Sequence, residues 1–141
     1  MTWPKANSAR NRHPRHAQWF EQDVAGVASA AVLVRNLVEA HLIGWDLKEM
    51  VDDAVLVADE LFANAMQAAP GQAIGLRVAL LERFVVVEVE DPSPGRAAPR
   101  EADDEGGRGL MIVDALSAYW GQRPEPGGKT VYALLAIPRN G

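Results

Sequence analysis

The sequence predicts an α+β two-layer sandwich: one mixed, mostly antiparallel sheet with about three helices on one face. Three observations predict it. Two long segments in the N-terminal half repeat apolar residues at the spacing of a buried helix face. Two β-rich runs follow, close enough together to form a hairpin. A third helical segment then separates the hairpin from a last strand-like run. The order helix, helix, strand, strand, long loop, helix, strand puts the helices on one face of a sheet.

The first helix is predicted from an N-cap at Asp23 to about His41, with Val24, Val27, Ala31, Val34 and Val38 as its buried stripe. Gly44 and Trp45 end it. Asp46 with Glu49 reads as a capping box opening the second helix, whose buried face is Met50, Ala54, Val57, Leu61 and Ala65. Pro70 and Gly71 stop it, and the two helices form an antiparallel pair. Ala73–Leu81 and Phe84–Glu90 are the hairpin strands, joined by Glu82 and Arg83. In the second of them Val85, Val87 and Val89 share one face, and Phe84, Val86, Glu88 and Glu90 the other. From Asp91 the chain reads DPSPGRAAPREADDEGG, an aperiodic loop of a length that is often functional. Arg108–Ala118 is helical by the spacing of Leu110, Val113 and Leu116, and Thr130–Ile137 is a strand after a turn over Pro124–Gly128.

The 141 residues, 48% of them hydrophobic, suit one domain with a real core, the usual single-domain size being roughly 100–150 residues. There is no cysteine, which excludes disulfides, thiol nucleophiles and the usual structural zinc ligands. The three histidines have no metal-ligand spacing. No stretch approaches the run of about 20 apolar residues needed to span a bilayer, and the N-terminus lacks the apolar centre of a secretory signal. A cytoplasmic protein with no membrane partner is the expectation. The net charge of −5 is uneven. Residues 1–19 carry Lys5, Arg10, Arg12 and Arg15 and no acid, a basic arm of +4 expected to be disordered and solvated. The domain proper, 20–141, holds 10 basic and 19 acidic residues, which argues against nucleic acid as a main partner.

Four short motifs carry candidate chemistry. Glu60 and Asn64, four residues apart, share a helical face inside an otherwise apolar segment. A carboxylate and a carboxamide so placed suit a hard cation and a nucleophile's proton, although an ordinary polar flank has the same pattern. Asp91 ends a strand as Asp-Pro-Ser-Pro, where it could accept an exocyclic amine or simply start a turn. Gly106-Gly107-Arg108-Gly109-Leu110 opens a helix, where backbone N–H groups and an arginine favour phosphate. Gly127-Gly128-Lys129-Thr130 precedes a strand, so it is not a nucleoside-triphosphate P-loop.

Together, and in this order, the four resemble the stand-alone serine kinases that act as anti-sigma factors, in the ATPase superfamily shared by histidine kinases, gyrase and Hsp90. The segments DDAVLVADELFANA, EVEDPSP, GGRGLMIVDALSAYWG and PGGKTVYALL are similar to the short actinobacterial members, and the resemblance covers about residues 20–138. It implies a Bergerat-type ATP-binding fold with ATP and Mg²⁺ as cofactors. It implies Glu60 as general base, Asn64 as the Mg²⁺ ligand, and Asp91 as acceptor of the adenine amino group with Thr130 supporting it. Gly107, Arg108, Gly109 and Leu110 would border the phosphates, and Ser93 to Glu105 would be the ATP lid. The implied partners are an anti-anti-sigma protein of the STAS type, a sigma factor and a second copy of the chain. Many relatives carry a basic residue and a histidine shortly after the motif asparagine, where this chain has Gln67 and Ala68. That departure supports an alternative: an ATP-gated protein-binding module without phosphotransfer.

Overall fold

A computed structural model of the chain describes residues 18–93 and 107–138. Residues of the basic arm up to Ala17, and residues 94–106 of the long loop, lie outside this part. The element order is β1 (Gln18–Ala25), a 3₁₀ turn (Ala28–Ala30), α1 (Ala31–Gly44), a second 3₁₀ turn (Lys48–Met50) and α2 (Val51–Ala68). The chain continues through β2 (Ala73–Leu81), β3 (Phe84–Asp91), α3 (Gly107–Leu116), β4 (Tyr119–Glu125) and β5 (Gly128–Ala136). The five strands form one sheet in the order β1-β2-β3-β5-β4, every neighbouring pair antiparallel.

The alternation read from the sequence holds. Val85, Val87 and Val89 of β3 join Ile74, Leu76 and Val78 of β2 and Val131, Ala133 and Leu135 of β5 in the core beneath the helices. From above, Val34, Val38 and Leu42 of α1 and Ala54, Val57, Ala58, Leu61, Phe62 and Ala65 of α2 close that core. The hairpin turn at Glu82 and Arg83 forms as predicted, with Glu82 at φ 54°.

Three expectations are corrected. Asp23 does not cap a helix: it lies in β1, which begins at Gln18 and pairs with β2 from Gln18↔Leu80 to Ala25↔Ala73. The helical stripe truly starts at Ala31, because Phe20 and Val24 are buried by strand alternation instead. Gly26 makes the exit tight: its N–H donates to Gln72 O at 2.8 Å, and a Cβ there would meet that oxygen at 2.9 Å. Second, Asp46 and Glu49 form no capping box. Asp46 adopts φ 63°, a left-handed conformation that Asp tolerates better than most residues. Helix α2 starts through the 3₁₀ turn with no side-chain cap, and Asp52 and Asp53 in its first turn complement the helix dipole. Third, the turn expected over Pro124–Gly128 shrinks to Pro126 and Gly127, because an unexpected strand, β4, runs through Glu125 and β5 starts at Gly128. Pro124 suggested a break, but β4 is an edge strand, where a missing N–H costs no ladder bond.

Candidate functional site

Asp91 is the last residue of β3 and lies on the helix-facing side with Val85, Val87 and Val89. Its side chain is 1% exposed. Oδ1 accepts the Ser93 backbone N–H at 2.8 Å and a hydrogen from Lys129 Nζ at 3.2 Å. Lys129 Nζ is also 3.1 Å from Oδ2, close enough to pair charges but off the direction a hydrogen bond needs. Oδ2 is therefore a buried acceptor with no donor, the kind of orphan that a ligand amine would satisfy. The β5 backbone crowds this corner: a Cβ on Gly128 would overlap the Asp91 carbonyl oxygen and lie 2.9 Å from Pro92 Cα. Gly128→Ala is expected to cost about 1–3 kcal/mol, because backbone cannot yield as a side chain would. Thermal denaturation checks this.

The register puts Lys129, not Thr130, opposite Asp91. Thr130 pairs with Glu90, so its side chain is on the other face, fully buried, with its hydroxyl 3.5 Å from Arg77 Nη2. The structure thus does not bring the Thr130 side chain together with Asp91. Since Val131, Ala133 and Leu135 are the core positions of β5, period-two alternation already assigned position 129 to the Asp91 face.

Glu60 and Asn64 sit half-buried, one turn apart, on a flank of α2. On its opposite flank Asp59 accepts a hydrogen bond from Arg35 of α1 at 3.1 Å. With α1 on that side, the flank bearing Glu60 and Asn64 is left to α3, which packs against α2. Helix α3 opens with Gly107, Arg108 and Gly109, whose side-chain surroundings lie outside the described part. Leu110 is 4% exposed and belongs to the core, so it anchors the helix start. The rest of the implied lid, residues 94–105, lies outside the described residues.

On the sheet face away from the helices is a charge cluster that the sequence reading missed. Arg77 donates to Glu88 at 3.1 and 3.2 Å, to Glu21 at 3.2 Å and to Glu90 at 3.1 Å. Arg123 donates to Glu88 at 2.9 and 3.2 Å and to Glu125 at 2.9 Å. Burial works against the charge on Arg77, but attraction to Glu88 and hydrogen bonds to Glu90 and Glu21 outweigh it, and the guanidinium is held above its ordinary value. Arg123 is shifted in the same direction: burial opposes its charge, while Glu88 and Glu125 outweigh that opposition. Four carboxylates against two cations repel phosphate, so this cluster belongs to the scaffold. The cleft beside it, lined by Asp23, Glu90 and Asp91 with no cation, equally disfavours a triphosphate.

A buried orphan carboxylate oxygen at a strand end, a Glu-x-x-x-Asn helix flank and a glycine-opened helix are the candidate site features of this fold. The histidine kinase-like ATPase domain family matches residues 20–134, and the chain belongs to that family, which implies ATP binding. In fold it is similar to the crystal structure of the RsbU and RsbW domains of Rv1364c from Mycobacterium tuberculosis, with a TM-score of 0.67 and 20% identity. The superposition covers 86% of this chain and 33% of that one, so this chain spans about a third of its neighbour. No curated protein matches the sequence.

Proposed function

We propose that the chain is an ATP-binding regulatory serine kinase that phosphorylates an anti-anti-sigma protein of the STAS type and thereby controls a sigma factor in the cytoplasm. The observation that carries the nucleotide part is the buried, donorless Asp91 Oδ2, poised to accept the amino group of adenine. The remaining residues supply what phosphoryl transfer needs, chiefly positioning and charge stabilisation. Glu60 takes the proton of the attacking serine hydroxyl as that oxygen bonds to the γ-phosphorus. The bond from the γ-phosphorus to its bridging oxygen breaks, and ADP leaves with the electron pair. Gly107 and Gly109 lend backbone N–H groups to the phosphates, with Arg108 beside them.

The donor set suits Mg²⁺ carried by the nucleotide. Among the described residues no three acids or histidines gather into a cation cage. A magnesium ion held by phosphates needs only one or two protein oxygens. Asn64 would supply one, and the bound ion would neutralise charge building on the phosphate oxygens. Among the described residues no helix is long and apolar enough to cross a membrane.

A second reading rests on Gln67 and Ala68, both exposed at the end of α2 and neither a cation. It keeps ATP as a regulatory ligand that gates protein association without phosphotransfer. Calorimetric titration with ATP and Mg²⁺ tests the site first. Asp91→Asn is expected to weaken ATP by about 10- to 100-fold, since it replaces a charged acceptor with a neutral one. Unaltered affinity in that variant would remove Asp91 from the base site. Phosphoserine on a STAS-type partner, detected by mass spectrometry after incubation with Mg-ATP, separates kinase from gated module.

A further inference from the structure

The ammonium of Lys129 lies 3.1 and 3.2 Å from the two carboxylate oxygens of Asp91. We infer that Lys129 is the specificity-determining residue of the base site and widens it from adenine to guanine nucleotides. The inference rests on the reading of Asp91 as the base acceptor.

A buried carboxylate alone can only accept hydrogen bonds. Against adenine it receives the exocyclic amine at position 6. Against guanine the same carboxylate faces the lone pairs of O6, and a site built for a donor strongly rejects an analogue that lacks it. Here the carboxylate is not alone. Lys129 is directly opposite Asp91 in the β3–β5 register, and its side chain is 6% exposed. Its Nζ spends one hydrogen on Oδ1, and an ammonium carries three. Oδ2 stays donorless 3.1 Å away. The pair thus presents an acceptor and a donor side by side. Adenine would give its amine to Oδ2 and take a hydrogen from Nζ at a ring nitrogen. Guanine would take a hydrogen from Nζ at O6 and give N1–H to Oδ2. Either purine would satisfy both Oδ2 and an Nζ hydrogen, which removes the penalty that a lone carboxylate places on guanine.

A purely structural lysine would act otherwise. If Lys129 only neutralised a buried carboxylate, removing it would lower stability and weaken both nucleotides together. The ratio of the two affinities is the readout that such a role would not move.

The test is calorimetric titration of the full chain with Mg²⁺ and non-hydrolysable ATP and GTP analogues, for wild type, Lys129→Thr and Lys129→Arg. Wild type is expected to bind the two within about tenfold, a difference no larger than one ordinary hydrogen bond supplies. Lys129→Thr is expected to weaken GTP by about 10- to 100-fold relative to ATP, and Lys129→Arg to keep GTP binding. An ATP preference beyond tenfold in wild type overturns the inference without any variant, and so does an unchanged ratio in Lys129→Thr. ATP binding without GTP binding defeats this inference alone. Binding of neither nucleotide by wild type defeats the reading of Asp91 and this inference with it.

Discussion

Glu60→Gln is expected to lower serine phosphorylation by about 10²- to 10⁴-fold, the range that a general base supplies. ATP affinity should stay within about threefold of wild type, as for a group whose contribution is made in the transition state. The substitution keeps the shape of the side chain and its place on the half-buried flank of α2, one turn before Asn64. What it removes is the capacity to take a proton. Asn64→Ala is the informative contrast: it should weaken ATP in a Mg²⁺-dependent way, because Asn64 is proposed to act through the ion. Single-turnover phosphotransfer measured beside equilibrium binding separates the two roles. Wild-type rates in Glu60→Gln would take the proton-accepting role away from that residue and favour the gated binding module.

The elements most legible in the sequence were those with a single strong period. The valine alternation of β3 and the apolar faces of α1 and α2 were readable because core burial imposes period two or 3.6 on each. The edge strands were not. In β1 only Phe20 and Val24 are buried, and they run into the stripe of α1 across Gly26. In β4 no residue is buried, so its pattern is weak, and Pro124 mimics a turn. The Asp46 cap failed for a different reason: Asp46 is the left-handed residue that ends α1, where its own N–H donates to Ile43 O at 3.0 Å and that of Leu47 to Leu42 O at 2.8 Å, the Schellman pattern of a helix C-terminus. At the site, one residue of register decided the outcome. Thr130 was placed beside Asp91 from motif order, whereas the pleat sends Thr130 to Arg77 and Lys129 to Asp91. The Arg77–Glu88 cluster was invisible because its members are scattered over four strands, and only the fold assembles them.

That cluster carries the largest expected effect on stability. Glu88 is 2% exposed and accepts from both Arg77 and Arg123, whereas Glu21 is 26% exposed and accepts from Arg77 alone. Glu88→Ala removes the most buried acceptor shared by both guanidinium groups and leaves Arg77, only 7% exposed, with Glu21 and Glu90 and Arg123 with Glu125, so the cost is expected at the lower end of that for a broken buried pair, about 3 kcal/mol. Glu21→Ala removes a solvent-screened partner and should cost less than about 1 kcal/mol. In thermal unfolding this is a fall of roughly 10 °C or more for Glu88→Ala and of a few degrees for Glu21→Ala. The pH dependence follows from the sign of the arginine shifts. Both guanidinium groups are raised, so their contribution is complete below the unfolded value and fades only as pH climbs past the raised one. Neither arginine therefore produces a stability change between neutral pH and about pH 10, given the ordinary arginine value. Equal, small losses in the two glutamate variants would show that water reaches Glu88 as freely as Glu21. The unequal losses expected here would show that Glu88 is the desolvated centre of the ion network on the sheet's far face and that Glu21 is its solvent-screened edge.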